Sequence, residues 1–174
     1  MKIWLTTDTH FGHVNMIDFC GRPKDFDVKI FRGLRNIPMN DMLIHLGDVC
    51  MGNDAMHHAK WIQSLPVQKR ILVMGNHDRK SPHWYMEHGW SLACESFILK
   101  EGTRKFLLSH KPQASLQGCD MNIHGHFHNT DFRRNDSECG GIPTDKHRLL
   151  ALEYVNYQPV SFGKFAFSKQ IVSK

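Results

Sequence analysis

The stretch Ile71-Leu72-Val73-Met74-Gly75-Asn76-His77-Asp78 carries the pattern that decides the fold of this chain. Its four apolar residues have the length of a short buried strand, and they end at a glycine and three polar side chains. Two earlier stretches repeat the pattern: Leu43-Ile44-His45-Leu46 runs into Gly47-Asp48, and Ile3-Trp4-Leu5 leads to Asp8. Strands that end in polar residues are typical of a sheet whose strand ends form a binding site.

The segments between these three strands are predicted to be helical. Asp25 to Asn36 spaces its apolar residues at about the helical period, and Pro38 lies just beyond it. Asp54 to Leu65 begins with a residue suited to capping and stops at Pro66. Strands joined by helical crossovers run parallel, so the first half of the chain is predicted to be α/β.

The second half of the chain is predicted to be rich in strands. Ser96 to Lys100 and Lys105 to Ser109 flank Glu101-Gly102-Thr103, a pattern that predicts a hairpin. Further strands are predicted at Met121 to His124, Leu149 to Tyr154 and Val160 to Phe167. Because no repeat or low-complexity linker divides the 174 residues, we expect one domain over residues 1–174, with either a mixed sheet or a pair of packed sheets.

Composition excludes several classes of protein. The apolar content is that of a globular chain, which excludes disordered and collagen-like proteins. No apolar run approaches the length of a membrane span, and no signal peptide is recognisable, so we expect a cytoplasmic protein with no membrane partner. The five cysteines are scattered and form no C-x-x-C pair, which argues against a disulfide framework and against a zinc ribbon.

Charge and histidine content point toward an anionic ligand and a metal. The formal net charge is +5, and the chain has 13 histidines. Histidine is the commonest metal ligand, so this number favours a metal site. The basic excess leaves nucleic acid open as a partner, although paired basic residues are more often solvated faces than a nucleic-acid rim. Those pairs are Arg79-Lys80, Arg104-Lys105 and Arg133-Arg134.

Five predicted strands end in side chains that can bind a metal. The polar residues that follow these strands are Asp8, Thr9 and His10, then Asp48, then Asn76, His77 and Asp78, then Ser109 and His110, and finally His124, His126 and His128. The carboxyl ends of such strands meet at one edge of a sheet, and carboxylate, imidazole and amide donors together suit Mn, Fe, Zn or Ni. These donors are too many for one tetrahedral ion, whereas two ions that share a carboxylate would use them all. Glycine at Gly47, Gly75 and Gly125 would let the backbone turn tightly beside the ions.

In order and spacing, these motifs resemble the calcineurin-like metallophosphoesterase superfamily. The matching residues are Asp8-x-His10, Gly47-Asp48, Gly75-Asn76-His77-Asp78, Ser109-His110 and Gly125-His126-x-His128. Three flanking segments resemble more narrowly the small single-domain phosphoesterases of bacteria and phages: Thr7 to His13, Phe19 to Pro23 and Tyr157 to Phe162. The resemblance implies a four-layer α/β/β/α sandwich with two mixed β-sheets and a dinuclear metal site at the carboxyl ends of the strands.

The resemblance also implies roles for individual residues. The first ion takes Asp8, His10, Asp48 and His128. The second ion takes Asp48, Asn76, His110 and His126, so that Asp48 bridges the two ions. Mn is the leading expectation, with Fe, Zn or Ni as alternatives. His77 would act as a general acid or stabilise the transition state.

The expected function is hydrolysis of a phosphate ester by a hydroxide that two metal ions activate. Protein phosphatases of the superfamily carry Asp-Arg after Gly-Asp, but Asp48 is followed here by Val49 and Cys50. The missing Asp-Arg counts against a protein phosphatase, and it leaves the partner of His77 open. We therefore expect a phosphodiesterase acting on a small nucleotide-like substrate. The alternatives are a nuclease acting on nucleic acid and a metal-bearing interaction scaffold without catalysis.

Several polar residues near the motifs receive other interpretations. His13, Asn15 and Arg22 could face the substrate phosphate or base, because an arginine fork suits phosphate, although surface arginines are common. The remaining residues are interpreted as structural: His45 as a hydrogen-bonded core residue, His57 and His58 as solvated, His124 as a strand-end residue beside the ligands, and Cys50 as packing. The pocket is expected to depend on the loops Phe11 to Arg22, Arg79 to Trp90 and Asn129 to Lys146.

Overall fold

Two mixed β-sheets form the centre of the molecule. The structure, a computed structural model, describes residues 1–130 and 145–168. The pair Arg133-Arg134 and most of the loop Asn129 to Lys146 lie outside the described residues. The strands are β1 (Ile3–Thr6), β2 (Met42–His45), β3 (Lys69–Val73), β4 (Leu92–Cys94), β5 (Ser96–Glu101), β6 (Arg104–Ser109), β7 (Met121–His124), β8 (His147–Leu149) and β9 (Val160–Ser161).

The order of the strands confirms the predicted class of fold. The first sheet has the order β4-β3-β2-β1-β9, in which β1 to β4 are parallel and β9 is antiparallel to β1. The second sheet has the order β5-β6-β7-β8. Its β5-β6 pair is the predicted antiparallel hairpin, and its other pairs are parallel. Both sheets are therefore mixed, and the strands that precede the expected ligands run in parallel within each sheet.

The outer face of the first sheet is covered by the helices α1 (Met16–Cys20), α2 (Phe26–Arg35), α3 (Asp54–His57) and α4 (Pro82–Glu87). The last helix, α5 (Phe162–Phe167), lies instead against β1 and β9 on the inner side of this sheet. Ile30 and Leu34 of α2 pack in one core with Leu43 and Leu72 of the sheet. On the second sheet the outer face meets residues 111–120, where the Gln113 backbone N–H donates to Asn122 Oδ1 at 2.9 Å. In the described ranges, no helix is long and apolar enough to cross a membrane.

A second core lies between the two sheets. Ile44 and Val73 of the first sheet contribute to it from one side, and Leu108 and Ile123 of the second sheet from the other. Neighbouring residues of β2 and β3 alternate between the two cores because side chains alternate along a strand. Both faces of the first sheet are thus buried, as expected for parallel strands. This packing holds the strand ends of both sheets against each other.

The predictions for the end of the chain were partly wrong. The predicted strand Leu149 to Tyr154 is replaced by β8 and a 3-10 turn at Leu152–Val155. The predicted strand Val160 to Phe167 is a strand of two residues followed by α5. Phe162 and Ala166 of α5 both enter the core between the sheets. Their spacing of four residues is that of a helix, so the prediction of a strand there was wrong.

Other differences concern the helices. The predicted helix from Asp54 to Leu65 consists of the short α3 and a π-helical turn, His58–Ile62. The expectation that His57 and His58 are solvated was wrong, because both are buried. His58 Nδ1–H donates to the carbonyl of Asp54 at 2.9 Å. Helix α4 was not predicted, although its start carries a capping serine, Ser81, followed by proline.

Candidate metal centre

The loops after β1, β2, β3, β6 and β7 bring the expected ligands together between the two sheets. Two groups of side chains have ligand atoms that all lie within 4.8 Å of one another. The groups are Asp8, His10 and His128 in one case and Asp48, His110 and His126 in the other. All six side chains are buried. Their division follows the two ligand sets that the family resemblance implies, while Asn76 joins the second group from an exposed position.

Each of the two carboxylates is anchored by one oxygen and leaves the other unpaired. Asp48 Oδ1 accepts a hydrogen bond from the His77 backbone N–H at 2.9 Å. Asp8 Oδ2 accepts from the His126 backbone N–H at 2.9 Å and from the Thr7 hydroxyl at 2.6 Å. Asp48 Oδ2 and Asp8 Oδ1 are buried and have no hydrogen-bond partner among the described residues. Burying a carboxylate oxygen without a partner costs free energy, and a bound cation would remove that cost at both atoms.

The unpaired oxygens face unpaired imidazole nitrogens. His10 Nε2 lies 3.5 Å from Asp48 Oδ2 and 3.9 Å from Asp8 Oδ1. His128 Nε2 lies 3.7 Å from Asp8 Oδ1. Within residues 1–130 and 145–168, neither nitrogen has a hydrogen-bond partner. These four atoms therefore fit divalent metal ions, which accept lone pairs from carboxylate and imidazole together.

His110 presents a lone pair to the second group. Its Nδ1–H donates to the carbonyl of Leu46 at 2.8 Å, so the lone pair of the neutral ring is on Nε2. Nε2 lies 3.4 Å from Asp48 Oδ2, 3.0 Å from Asn76 Oδ1 and 3.1 Å from His126 Nδ1. Several electron-rich atoms thus converge on one point, and a cation at that point would satisfy them together.

The charges around Asp48 keep the carboxylate of that residue ionised. Burial alone would raise the pKa of Asp48, but His110 and His10 outweigh it and hold that pKa well below its usual range. Burial likewise acts to lower the pKa of His110, yet Asp48 raises it to about 9. Burial lowers the pKa of His10. Metal ligands bind as an ionised carboxylate and a neutral imidazole, so a metal ion at this site would take the place of the proton that Asp48 favours on His110.

Backbone strain is concentrated at the same residues. A positive φ, which is uncommon outside glycine, occurs at five of the expected ligands. They are Asp8 (47°), His10 (47°), Asp48 (58°), His126 (72°) and His128 (52°). Strained conformations of this kind persist where the surrounding structure holds them, and they cluster at functional sites.

Two glycines make room for the carboxylates. A Cβ atom at Gly75 would fall on Asp48 Oδ1, and one at Gly125 would fall on Asp8 Oδ2. Neither glycine has a positive φ, whereas Gly47 does, at 93°. A tight turn was expected at all three positions, but only Gly47 of the three needs glycine for its backbone conformation. Gly75 and Gly125 are needed because the carboxylates of Asp48 and Asp8 lie so close to them.

His77 lies at the open side of the site. Its side chain is 24% exposed, and Nε2 lies 3.9 Å from Asp48 Oδ2. The ring centre is 5.4 Å from that of His10 and 6.5 Å from that of His13. His13 in turn meets Phe19 edge-on at 6.2 Å, and Phe19 is 59% exposed. A row of rings therefore leads from the ligands to the surface.

The three residues considered for substrate contact have different positions. His13 is half-buried in this row of rings, and Asn15 is exposed at the start of α1. The side chain of Arg22 has no exposed surface. Its guanidinium donates to the carbonyls of Asp8 at 2.8 Å and Thr9 at 3.1 Å. This placement differs from the expected one, because it makes Arg22 a support for the loop after β1.

Neighbouring polar residues are structural. His45 is buried with Nε2 2.9 Å from the Thr9 hydroxyl, which confirms its core position. His124 is buried and donates from Nδ1 to the carbonyl of Gly125 at 2.9 Å. Burial raises the pKa of the Cys50 thiol, as expected for a packing residue.

Sequence reasoning missed the role of Asp78. Its carboxylate accepts backbone N–H bonds from Asp48 at 2.7 Å, Gly75 at 2.8 Å and Val49 at 3.1 Å. It thereby ties the loop after β2 to the loop after β3. Burial and the nearby Asp48 raise the pKa of Asp78 to about 6. Asp78 belongs to the motif Gly75-Asn76-His77-Asp78, and its position directly after a predicted strand was a usable signal.

Glu153 was also missed, and nothing near it in sequence points to the site. Its carboxylate is buried against Arg22 and His128, with 4% of the side chain exposed. Burial would raise the pKa of Glu153, but the His128 hydrogen bond and the Arg22 charge outweigh it and lower that pKa to about 2.

Comparison with known proteins places these features in a family. A family model described as calcineurin-like phosphoesterase matches residues 1–136. An uncharacterized protein of Methanocaldococcus jannaschii is 28% identical over 168 residues, which cover 92% of this chain and 86% of the relative. The Gene 66 protein of Mycobacterium phage D29 is 24% identical over 163 residues, covering 76% of this chain and 81% of that protein.

A solved structure shares the fold. The crystal structure of a protein of unknown function from Aquifex aeolicus aligns with a TM-score of 0.73 at 24% sequence identity. The alignment covers 95% of this chain and 97% of that one. At this level of identity the likeness supports the architecture of the two sheets.

Proposed function

The chain belongs to the calcineurin-like phosphoesterases, a family of hydrolytic enzymes, and from this premise we propose a metal-dependent phosphodiesterase for a small nucleotide-like substrate. One observation carries the proposal. The buried and unpaired atoms Asp8 Oδ1, Asp48 Oδ2, His10 Nε2 and His128 Nε2 face one another where metal ions would lie. The family implies divalent ions, and Mn is our first choice among them.

We assign the ligands as two overlapping sets. The first contains Asp8, His10, Asp48 and His128, and the second contains Asp48, Asn76, His110 and His126. Support comes from the two buried groups and from the contacts of Asn76 with His110. Bound divalent ions would withdraw charge from the phosphoryl oxygens and supply hydroxide near neutral pH. We place Asp48 in both sets because its Oδ2 lies 3.5 Å from Nε2 of His10, in the first set, and 3.4 Å from Nε2 of His110, in the second.

His77 is proposed to move the proton that the leaving group needs. When the P–O bond breaks, its imidazolium would give a proton to the departing alkoxide oxygen and return to the neutral ring. Support comes from its partly exposed side chain, which lies beside the ligands and outside both groups. A histidine suits this task because its ordinary pKa lies close to neutral pH.

The row of rings supports a substrate with an aromatic part. With the phosphate at the ligands and beside His77, the rest of the substrate would extend past His13 toward the exposed face of Phe19. Aromatic side chains stack on nucleobases, and Asn15 is exposed nearby to offer hydrogen bonds. A nucleoside phosphate ester combines both features.

A nuclease is the second candidate. Arg79 and Lys80 are exposed directly after the loop that carries His77. Such charges could bind the backbone of a nucleic acid, in which case binding would weaken steeply with salt. Titration of a single-stranded oligonucleotide at two salt concentrations separates this candidate from a small-molecule esterase.

Hydrolysis of bis-p-nitrophenyl phosphate tests the proposal. Chelator-treated protein is assayed with and without Mn, followed by a screen of cyclic nucleotides, nucleoside monophosphates and artificial diesters. Asp48→Asn should abolish turnover, whereas Asp120→Asn, which alters an exposed carboxylate, should not. Absence of metal-dependent turnover in the wild type, or full activity of Asp48→Asn, would contradict the proposal. Metal binding without turnover would favour the scaffold.

A further inference from the structure

His128 stands between the candidate metal centre and a buried ion pair. Its Nε2 lies 3.7 Å from Asp8 Oδ1, on the side of the expected ion. Its Nδ1 lies 3.5 Å from Glu153 Oε1, on the opposite side. The side chains of His128 and Glu153 are 1% and 4% exposed. Water therefore has little access to either nitrogen, and the partners within the protein decide where the proton of the ring sits.

The available partners of Nδ1 determine the tautomer. A neutral imidazole carries one N–H, so a lone pair on Nε2 requires the proton on Nδ1. Arg22 Nη2 lies 3.5 Å from Nδ1, but a guanidinium can only donate. In the part of the chain that the structure describes, Glu153 Oε1, 3.5 Å from Nδ1, is therefore the group placed to accept the Nδ1 proton.

Arg22 holds Glu153 in place. Its Nε and Nη2 atoms each lie 2.8 Å from Glu153 Oε1. The same guanidinium binds the carbonyls of Asp8 and Thr9, in the loop that supplies the first ligands. Arg22 thus fixes the carboxylate relative to the loop after β1, although Arg22 and Glu153 are 131 residues apart in sequence.

A third ion is a weaker explanation of this cluster. The ligand atoms of Cys20, His128 and Glu153 lie within 4.8 Å of one another and could in principle hold a metal. The Arg22 guanidinium already brings a positive charge into contact with Glu153 and close to His128. Adding an ion would place two positive charges side by side in a buried region, which is unfavourable.

We propose that Glu153 is a positioning residue for the first metal site. It accepts the Nδ1 proton of His128 and thereby directs the Nε2 lone pair toward the ion shared with Asp8. This inference rests on the metal centre of the proposed function. A carboxylate behind a metal-binding histidine fixes the tautomer and ring orientation, and loss of such a partner typically weakens metal affinity by about 10-fold to 100-fold.

Glu153→Gln is the variant that tests the inference. Glutamine keeps the size of the side chain but loses the charge. The matched control is Glu87→Gln, which changes an exposed glutamate whose carboxylate lies 3.4 Å from His83 Nε2. Mn binding to the chelator-treated proteins is measured by calorimetry. We expect Glu153→Gln to weaken one of two binding events by about 10-fold to 100-fold, with the other event and the control unchanged.

A second readout follows the tautomer directly. ¹⁵N-labelled histidine spectra of the Zn-loaded proteins report which nitrogen of His128 carries the proton. The wild type should show Nδ1–H, and Glu153→Gln should show loss of that signal or its exchange with the other tautomer. Glu153→Asp keeps the charge at a greater distance and should recover part of the lost affinity.

Two results would overturn the inference. One is wild-type affinity together with an unchanged tautomer in Glu153→Gln. The other is a loss of Mn affinity that is equal for both binding events and is accompanied by a lower melting temperature. That result would give Glu153 a purely structural role. This inference alone is refuted if the wild type binds two ions and hydrolyses the diester and Glu153→Gln behaves in the same way. A wild type that binds no ion refutes the proposed function itself.

Discussion

The backbone of Gly75 lies against the carboxylate of Asp48 so closely that any Cβ atom there would collide with Oδ1. That oxygen is the one held by the His77 backbone, while the opposite oxygen faces His10 and His110. Gly75, in the loop after β3, thus limits where the carboxylate of Asp48 can lie.

Gly75→Ala should therefore displace Asp48 and weaken Mn binding by more than about tenfold, since we propose this carboxylate for both ligand sets. Overpacking of this kind also costs about 1–3 kcal/mol of stability. Gly163→Ala is the control, because no atom lies within 4 Å of the added Cβ. Calorimetric Mn titration measures both variants, and unchanged affinity in Gly75→Ala would contradict the close approach.

His77→Gln should lower kcat for a cyclic nucleotide, whose alkoxide leaving group needs a proton, by about 10² to 10⁴-fold, the usual contribution of a general acid. Mn affinity should stay at the wild-type value, because the imidazole lies outside both ligand groups and the backbone N–H to Asp48 remains. The exposed His83→Gln serves as the control. Loss of Mn binding in His77→Gln would instead make the ring a ligand.

Removal of metal should lower the melting temperature. Mn at about 100 times its dissociation constant stabilises the native state by about 2.7 kcal/mol for one site. In a domain of this size that corresponds to about 5–10 °C. The shift should reverse on adding chelator and should be absent in Asp48→Asn. Thermal melts with and without Mn provide the measurement, and an equal shift in Asp48→Asn would count against the assigned ligands.

His58 should make the metal-free protein sensitive to acid. Burial lowers the pKa of His58 to about 4, below its ordinary value of 6.5 in the unfolded chain. The unfolded state therefore takes up a proton first, so the stability from this residue is complete above about pH 6.5 and is lost as the pH falls toward 4. The loss amounts to at most about 3 kcal/mol.

Replacement of this histidine should flatten that profile. Urea unfolding of chelator-treated His58→Gln at pH 7 and pH 5 should show a smaller decrease in stability than the wild type. The exposed His83→Gln should behave like the wild type. An identical decrease in all three proteins would show that other groups cause it.

Phe19→Ala should impair binding of substrates that carry an aromatic group. Stacking on an aromatic side chain contributes about 1–3 kcal/mol per base, so KM for a nucleotide ester should rise about tenfold with little change in kcat. A dialkyl phosphate should be unaffected. Phe167→Ala removes another half-exposed phenylalanine as the control. Equal KM values for Phe19→Ala and the wild type would remove Phe19 from the proposed substrate path.

The sequence alone predicted those elements in which local pattern and tertiary environment agree. Strands β1, β2 and β3 were predicted because each is a short apolar run bounded by polar residues. The loops that carry the candidate ligands were predicted because each follows such a run, and parallel strands bring their ends together. The choice of ligands within those loops came from the resemblance to a family. The segment after residue 150 was predicted less well, because its elements span only a few residues and periodicity cannot distinguish helix from strand over that length.

Only the tertiary structure decided how charges are paired behind the ligands. Glu153 meets Arg22 and His128 across the interior, and Asp78 joins two loops through backbone N–H groups. A sequence records which side chains carry charge, but the partner of a buried charge depends on which distant segments pack against it. Burial then gives each such contact its strength, because a group removed from water must find its partner within the protein.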